Sequence, residues 1–357
     1  MGIRVGLPQG LLFYQHGEVW AEFLRQLGAE VVLSGQTTRR TLDLGGVLAE
    51  VCLPVKVYFG HVCALYNQVD YLFVPRMVSE TKGKYNCPEM IGIPDMIRSN
   101  LSQMPPLLDV LVSSAQRQGQ MWQAVIETGR RLGVGLTASL MAWHRACCLR
   151  QSAQGLTSQK VSPIYSLSRL SPTSTLETVQ KGSDARKVED VRETVRLQGT
   201  SKRAPADLTT QMGPFQRSPL VALIGHAYIL YDPQVSMNVI AKLERQGLRV
   251  VTPRMVPARD AARGARVFGK EIFWTYSHHM AGAAIALMQA PLPVDGVIFM
   301  TSFSCGPDAL IGELIQQYAQ SCRIPCMTLS MDEHTAEAGF DTRVEAFADM
   351  LMLRWQP

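Results

Sequence analysis

The sequence lacks any run approaching the roughly 18 consecutive apolar residues of a membrane-spanning helix. It also lacks the G-x-G-x-x-G dinucleotide fingerprint, the H-E-x-x-H zinc helix and the G-x-S-x-G nucleophile elbow. Nothing therefore points to a nicotinamide enzyme of that type, a zincin or a hydrolase triad. The nearest match to a phosphate-binding loop, Gly264 to Lys270, follows no strand and places Glu271 where magnesium needs Ser or Thr. No ATPase motif is read in the chain. A strong charge of either sign is missing too, since 35 Lys and Arg stand against 30 Asp and Glu. The opening Met1-Gly2-Ile3-Arg4-Val5-Gly6 has no charged-then-apolar signal pattern and no Ser or Thr at position 6 for myristoylation. A cytoplasmic location is the expectation. Eight cysteines there are thiols or metal ligands rather than disulfides.

The small positive excess is localised. Residues 151–217 hold 10 Lys and Arg and 6 Asp and Glu, a net of +4, so the other 290 residues carry +1 of the total of +5. The folded parts are nearly neutral, which argues against a nucleic-acid surface. The 151–217 segment is rich in Ser, Thr and Gln, has no Cys or Trp, and shows no sustained period beyond a short helix near Val188 to Leu197. It reads as a flexible linker or insertion between a domain at 1–150 and a domain at 218–357.

Those two flanks open alike. Ile3 to Leu7 reads as a buried strand, Val19 to Leu27 has helical apolar spacing, Gly28 stops it, and Glu30 to Leu33 is a second strand. Leu220 to Gly225, Val235 to Leu243, Gly247 and Leu248 to Val251 repeat the pattern. Later strands enter through Val-Asp in both halves, at Val69-Asp70 and Val294-Asp295. The expected architecture is α/β: two similar doubly wound, flavodoxin-like parallel-sheet domains with a cleft between them. Such sheets bind ligands beyond the carboxyl ends of their strands.

Three cysteines fall in turns at the ends of elements rather than on apolar faces. Cys52 precedes Leu53-Pro54 at the start of an apolar helix. Cys87 precedes Pro88 in a polar loop, and Cys305 precedes Gly306-Pro307 directly after a strand. A helix N-terminus favours the thiolate, the metal-binding form, so three such thiols could hold an iron–sulfur cluster with one iron open. Ordinary reduced cysteines are the plain alternative. Cys63, Cys322 and Cys326 read as packing residues, and adjacent Cys147 and Cys148 cannot both face one site. Among polar groups, Arg76, His226, Glu333 and His334 stand at strand ends as candidate catalytic residues, with His278 and His279 on a later helix.

The stretches Cys52 to His61, Asp70 to Arg76 with Cys87-Pro88, Gly225 to Tyr228 with Tyr231-Asp232, Phe303 to Asp308 and Asp332 to Gly339 resemble the 2-hydroxyacyl-CoA dehydratase component family. They are most similar to its acyl-CoA dehydratase activase-related branch. The resemblance implies a [4Fe–4S] cluster on Cys52, Cys87 and Cys305, whose open iron meets a thioester carbonyl oxygen. It implies a separate ATP-dependent activator protein as electron donor and ketyl-radical chemistry in anaerobic metabolism. The chain would be a lyase or oxidoreductase component acting on an acyl-CoA, as a homodimer or as a heterodimer with a homologous subunit. Two other readings stay open: a non-catalytic cluster carrier for electron transfer, and a metal-free two-domain binding module.

Overall fold

In a computed structural model, which describes residues 2–114, 120–157 and 218–355, the chain begins with the expected unit. β1 (Arg4–Leu7) leads to α1 (Phe13–Gln26), which buries Val19, Trp20, Phe23 and Leu24, and then to β2 (Glu30–Leu33). The first half continues through α2 (Arg39–Gly45), α3 (Leu53–Ala64), β3 (Tyr71–Phe73), β4 (Arg76–Ser79), α4 (Pro88–Asn100), β5 (Leu107–Leu108), β6 (Leu111–Ser113), α5 (Met121–Arg131) and α6 (Leu136–Thr157). The second half runs β7 (Leu220–Ile224), α7 (Ala227–Leu230), α8 (Val239–Arg245), β8 (Arg249–Val251), α9 (Ala258–Ala265), α10 (Thr275–Met288), β9 (Gly296–Ser302), α11 (Gly306–Ser321), β10 (Cys326–Met331) and α12 (Glu337–Trp355). Helix α6 carries seven residues into the segment read as a linker. The rest of that segment, 158–217, with the short helix expected near Val188 to Leu197, lies outside the described residues. Among the described residues no helix is long and apolar enough to cross a membrane.

Both sheets are parallel throughout and share one strand order. The first is β2-β1-β3-β5 and the second β8-β7-β9-β10, so each crosses over between its first and third strands. This is the flavodoxin-like order, in which the crossover opens a crevice at the carboxyl ends. Two expectations are corrected in detail. The strand entered at Val69-Asp70 does not end at Val74 but continues past Pro75 as β4, which pairs with β6; the bonds to the neighbouring strand use alternate residues, Val74 and Arg76, so the missing Pro75 amide breaks none of them. The helix expected from Val235 begins at Val239 instead. Asp232 Oδ1 accepts the Gln234 and Val235 amides, and Met237 and Asn238 take φ of +50° and +54°.

The internal repeat extends to helix packing. In each half two helices separate the second and third strands, α2 and α3 in the first and α9 and α10 in the second. Gly45 and Gly264 are each the seventh residue of the leading helix, and Gly60 and Gly282 each the eighth of the following one. A Cβ on Gly60 would stand 1.8 Å from the Thr41 carbonyl oxygen, and one on Gly282 1.9 Å from that of Ala261. Backbones meet directly at both crossings, which fixes where α3 and α10 begin.

A buried polar network joins the halves. Asp232, after β7 and α7, is 1% exposed and accepts from Tyr14 Oη at 2.9 Å and from Thr37 Oγ1. Thr37 Oγ1 also meets His61 Nε2 at 2.9 Å. With the threonine proton committed to Asp232, His61 must be the Nε2–H tautomer donating to Thr37. Its Nδ1 is then left bare and buried, with no partner among the described residues. Burial pushes the imidazole down to about 4, and it pushes the Asp232 carboxyl up against the pull of its donors. Further ties are Leu53 N–H to Ser302 Oγ at 3.0 Å, the Lys56–Glu333 ion pair, and Tyr85 bridged to Phe273 and Thr275 through backbone bonds of 2.7 and 2.8 Å.

Two outcomes follow. Gly60→Ala and Gly282→Ala are each expected to lower unfolding free energy by about 2 kcal/mol or more. Gly339→Ala, in open space on α12, should be neutral or gain up to about 1 kcal/mol; equal urea midpoints for all three would refute the packing argument. For His61, the unfolded ring gains its proton near 6.5 and the folded ring near 4, so its contribution is full above pH 6.5 and is lost as pH falls toward 4. That loss is roughly 3 kcal/mol, and His61→Gln should flatten this part of the stability–pH curve. An unchanged curve would mean that the ring is not buried neutral.

Candidate functional site

The sheet order directs five helix starts to one place. Cys52, Cys87, His226, Trp274 and Cys305 are the N-caps of α3, α4, α7, α10 and α11, and all five line a single cavity of about 230 Å³. His226 follows β7 and Cys305 follows β9, the two strands that flank the second sheet's crossover. Leu11, after β1 of the first sheet, lines it as well. Pro54, Pro88 and Pro307 occupy the first turns of the three cysteine-capped helices. There proline's missing amide costs no hydrogen bond and its fixed φ stiffens the turn. The cysteines therefore sit at defined positions on rigid elements.

The walls are mostly apolar and aromatic, with Val55, Met90, Tyr85, Tyr228, Trp274 and Tyr276, and no Lys or Arg is among the lining residues. Two residues of the wall hold unspent polar atoms: Asn86 Oδ1 and Thr275 Oγ1 are buried without a partner among the described residues. The Cys52 thiol donates to Glu89 Oε2 at 3.1 Å. His226 Nε2 meets Asp308 Oδ1 at 2.9 Å, and Asp308 is 0% exposed. The imidazole stacks on Tyr228 with centroids 4.9 Å apart.

Burial decides the charge state of the thiols. It pushes Cys52 and Cys305 far above the usual thiol range, aided by the carboxylates of Glu89 and Asp308 respectively, and it raises Cys87 as well. Backbone amides of Val55, Met90 and Glu89, and Asp308 pull the other way at the three sulfurs. The expected helix-terminus effect is thus present but is outweighed by desolvation. Burial thus holds the three metal-free thiols in their protonated form near neutral pH. Among the described residues no group of three or more His, Cys, Asp or Glu side chains is disposed to hold a metal ion.

The candidate residues divide in two. Cys52, Cys87, Cys305 and His226 meet at the cavity; Arg76, Glu333 and His334 do not line it. Because the strand continues past Pro75, Arg76 is the first residue of β4 rather than a residue after a strand end, and its guanidinium forks onto Asp95 with two bonds of 2.7 Å. Glu333 and His334 follow the edge strand β10, one strand away from the crossover. Glu333 pairs with Lys56, while exposed His334 donates its backbone amide to Asp332. His279 Nε2 meets the Pro253 carbonyl at 3.1 Å. Of the remaining cysteines, Cys147 and Cys326 pack on the cores of the first and second halves, Cys63 is half-buried, and Cys148 and Cys322 are exposed. Glu89, Tyr228 and Asp308 were not singled out from sequence. Each lies two or three residues after a chosen N-cap, the offset that brings a first-turn side chain back toward the cap.

A family model described as CoA enzyme activase uncharacterised domain matches residues 4–256. The match includes Cys52, Cys87 and His226 and ends before Cys305. No curated protein matches the chain.

The charge states and exposures predict an order of thiol reactivity. In iron-free protein at pH 8, exposed Cys148 and Cys322 should be alkylated by iodoacetamide at least about tenfold faster than Cys52 and Cys305. Peptide mapping that finds Cys52 or Cys305 among the first to react would overturn the neutral, desolvated assignment.

Proposed function

The chain belongs to the CoA enzyme activase-related family, and from that premise we propose that Cys52, Cys87 and Cys305 hold a [4Fe–4S] cluster with one iron open. In this reading a separate ATP-dependent activator supplies the electron and an acyl-CoA thioester is the substrate. The observation that carries it is that the three thiols cap three helices, drawn from both halves, around one cavity.

The donor set suits such a group. A cubane bound by three thiolates is an anion of roughly one to two charges, and each helix start offers a partial positive charge of about half a unit. The amides at the three sulfurs are the kind of donor that stabilises bound thiolate. Sulfurs around one ion would stand only about 3.8 Å apart at metal–sulfur bonds near 2.3 Å. A cubane spaces its ligands more widely, so the lack of a single-ion site does not weigh against it. When bound, the cluster would supply a Lewis-acidic iron and a low-potential electron.

The chain's own groups have separable tasks. Glu89 Oε2 is placed to take the proton that Cys52 must lose on loading. Asp308 holds the His226 ring through Nε2, leaving its other face on Tyr228. The apolar walls exclude water. With no Lys or Arg lining the cavity, the phosphates of a CoA would remain outside it, and only an uncharged acyl end would enter.

A metal-free binding module is the second reading. It is favoured by the mostly apolar and aromatic lining of the cavity, which suits an uncharged ligand bound without any metal.

Anaerobic purification or reconstitution separates the two. The cluster reading expects brown protein absorbing near 400 nm with about four irons per chain. That colour should be lost in Cys52→Ala, Cys87→Ala and Cys305→Ala but kept in Cys322→Ala. Colourless, iron-free wild-type protein would establish the second reading instead.

A further inference from the structure

We infer that the Tyr228 hydroxyl is a hydrogen-bond donor to the centre held by Cys52, Cys87 and Cys305, so that it sets how readily that centre is reduced. The inference rests on the cluster reading above.

Tyr228 is the second residue of α7, is 9% exposed, and lines the cavity. Its ring lies against the His226 imidazole at an interplanar angle of 15°, and His226 is itself held by buried Asp308. The phenol is therefore fixed by a stack whose far side is anchored. A buried tyrosine ordinarily spends its O–H on a partner, yet this hydroxyl has none among the described residues. Nearby Asp308 accepts from His226 Nε2 and Thr301 Oγ1, and no bond from Tyr228 reaches it.

What surrounds the hydroxyl is negative or potentially so. After burial, the groups that oppose its ionisation are Asp308, Cys305, Cys52 and Cys87. It keeps its proton, and all three sulfurs lie within its electrostatic reach. In iron-free protein they are thiols and poor acceptors. As thiolates carrying a cluster they would be good ones. A donor aimed at cluster sulfur stabilises the reduced, more negative state and raises the reduction potential.

The test is Tyr228→Phe in the full chain, which removes one oxygen and leaves the stack. Iron-free variant and wild type are compared by thermal melting. Anaerobically loaded samples are compared by iron content and by redox titration without substrate. The expected result is an iron-free variant that melts no lower than wild type, equal iron content, and a lower midpoint potential. At fixed potential the ratio of reduced to oxidised centre should fall about tenfold, which is ~59 mV for one electron. Equal midpoints would overturn the inference, as would an iron-free variant that melts lower, since the hydroxyl would then have a partner within the protein. Failure of the variant to load while wild type loads would also overturn it, because the residue would then be shaping the cage. Wild type that takes up no iron would be a different result, ending the cluster reading itself.

Discussion

A carboxylate buried in one half and satisfied from the other holds this molecule in its working form. Asp232 comes from the second half, while Tyr14 and Thr37, which donate to it, come from the first. A buried carboxylate without donors is far more costly than one with them, so separating the halves is opposed by more than loss of apolar contact. The cavity is lined by segments from both halves, among them those that follow β1, β4, β7 and β9. Anything that loosened the Asp232 network would enlarge or open the space that Cys52 and Cys305 share.

Within that frame, helix starts rather than loops carry the chemistry. Loops can present side chains at many angles, but an N-cap fixes Cα, Cβ and the neighbouring amides together. Each of the three cysteines is followed within two residues by proline, which removes backbone freedom at the turn. The glycine crossings at Gly60 and Gly282 anchor the middles of α3 and α10 against their partner helices. Tolerances at the cavity are therefore inherited from backbone contacts more than a helical turn away.

Much of this was legible in the sequence, and the unread parts have physical reasons. The βαβ openings, the parallel sheets and the Cys52, Cys87, Cys305 and His226 positions follow from strand, helix and proline signals that are local. Arg76 reads as following a strand end because it comes after Val74-Pro75; in the fold the pairing runs on past Pro75, with Val74 N–H to Leu108 O and Arg76 N–H to Val110 O. Glu333 and His334 do stand at a strand end, but strand order is not written locally, and β10 proved to be an edge. The preference for thiolate was argued from helix dipoles, while desolvation depends on which walls close over the sulfur, a property of the assembled halves. The matched glycines of the two helix pairs were visible as residues but not as contacts.

The repetition of the halves has one consequence of parity. A frame built twice should present functional groups in pairs, and Cys87 at the start of α4 has its counterpart in Cys305 at the start of α11. Cys52 at the start of α3 has no such twin, for the equivalent position on α10 is Trp274. An even scaffold thus carries an odd set of sulfurs. The departure from duplication falls where the indole of Trp274 and the unspent Thr275 hydroxyl border the cavity. The two ends of the cavity are therefore chemically unlike, and the broken symmetry gives it a direction.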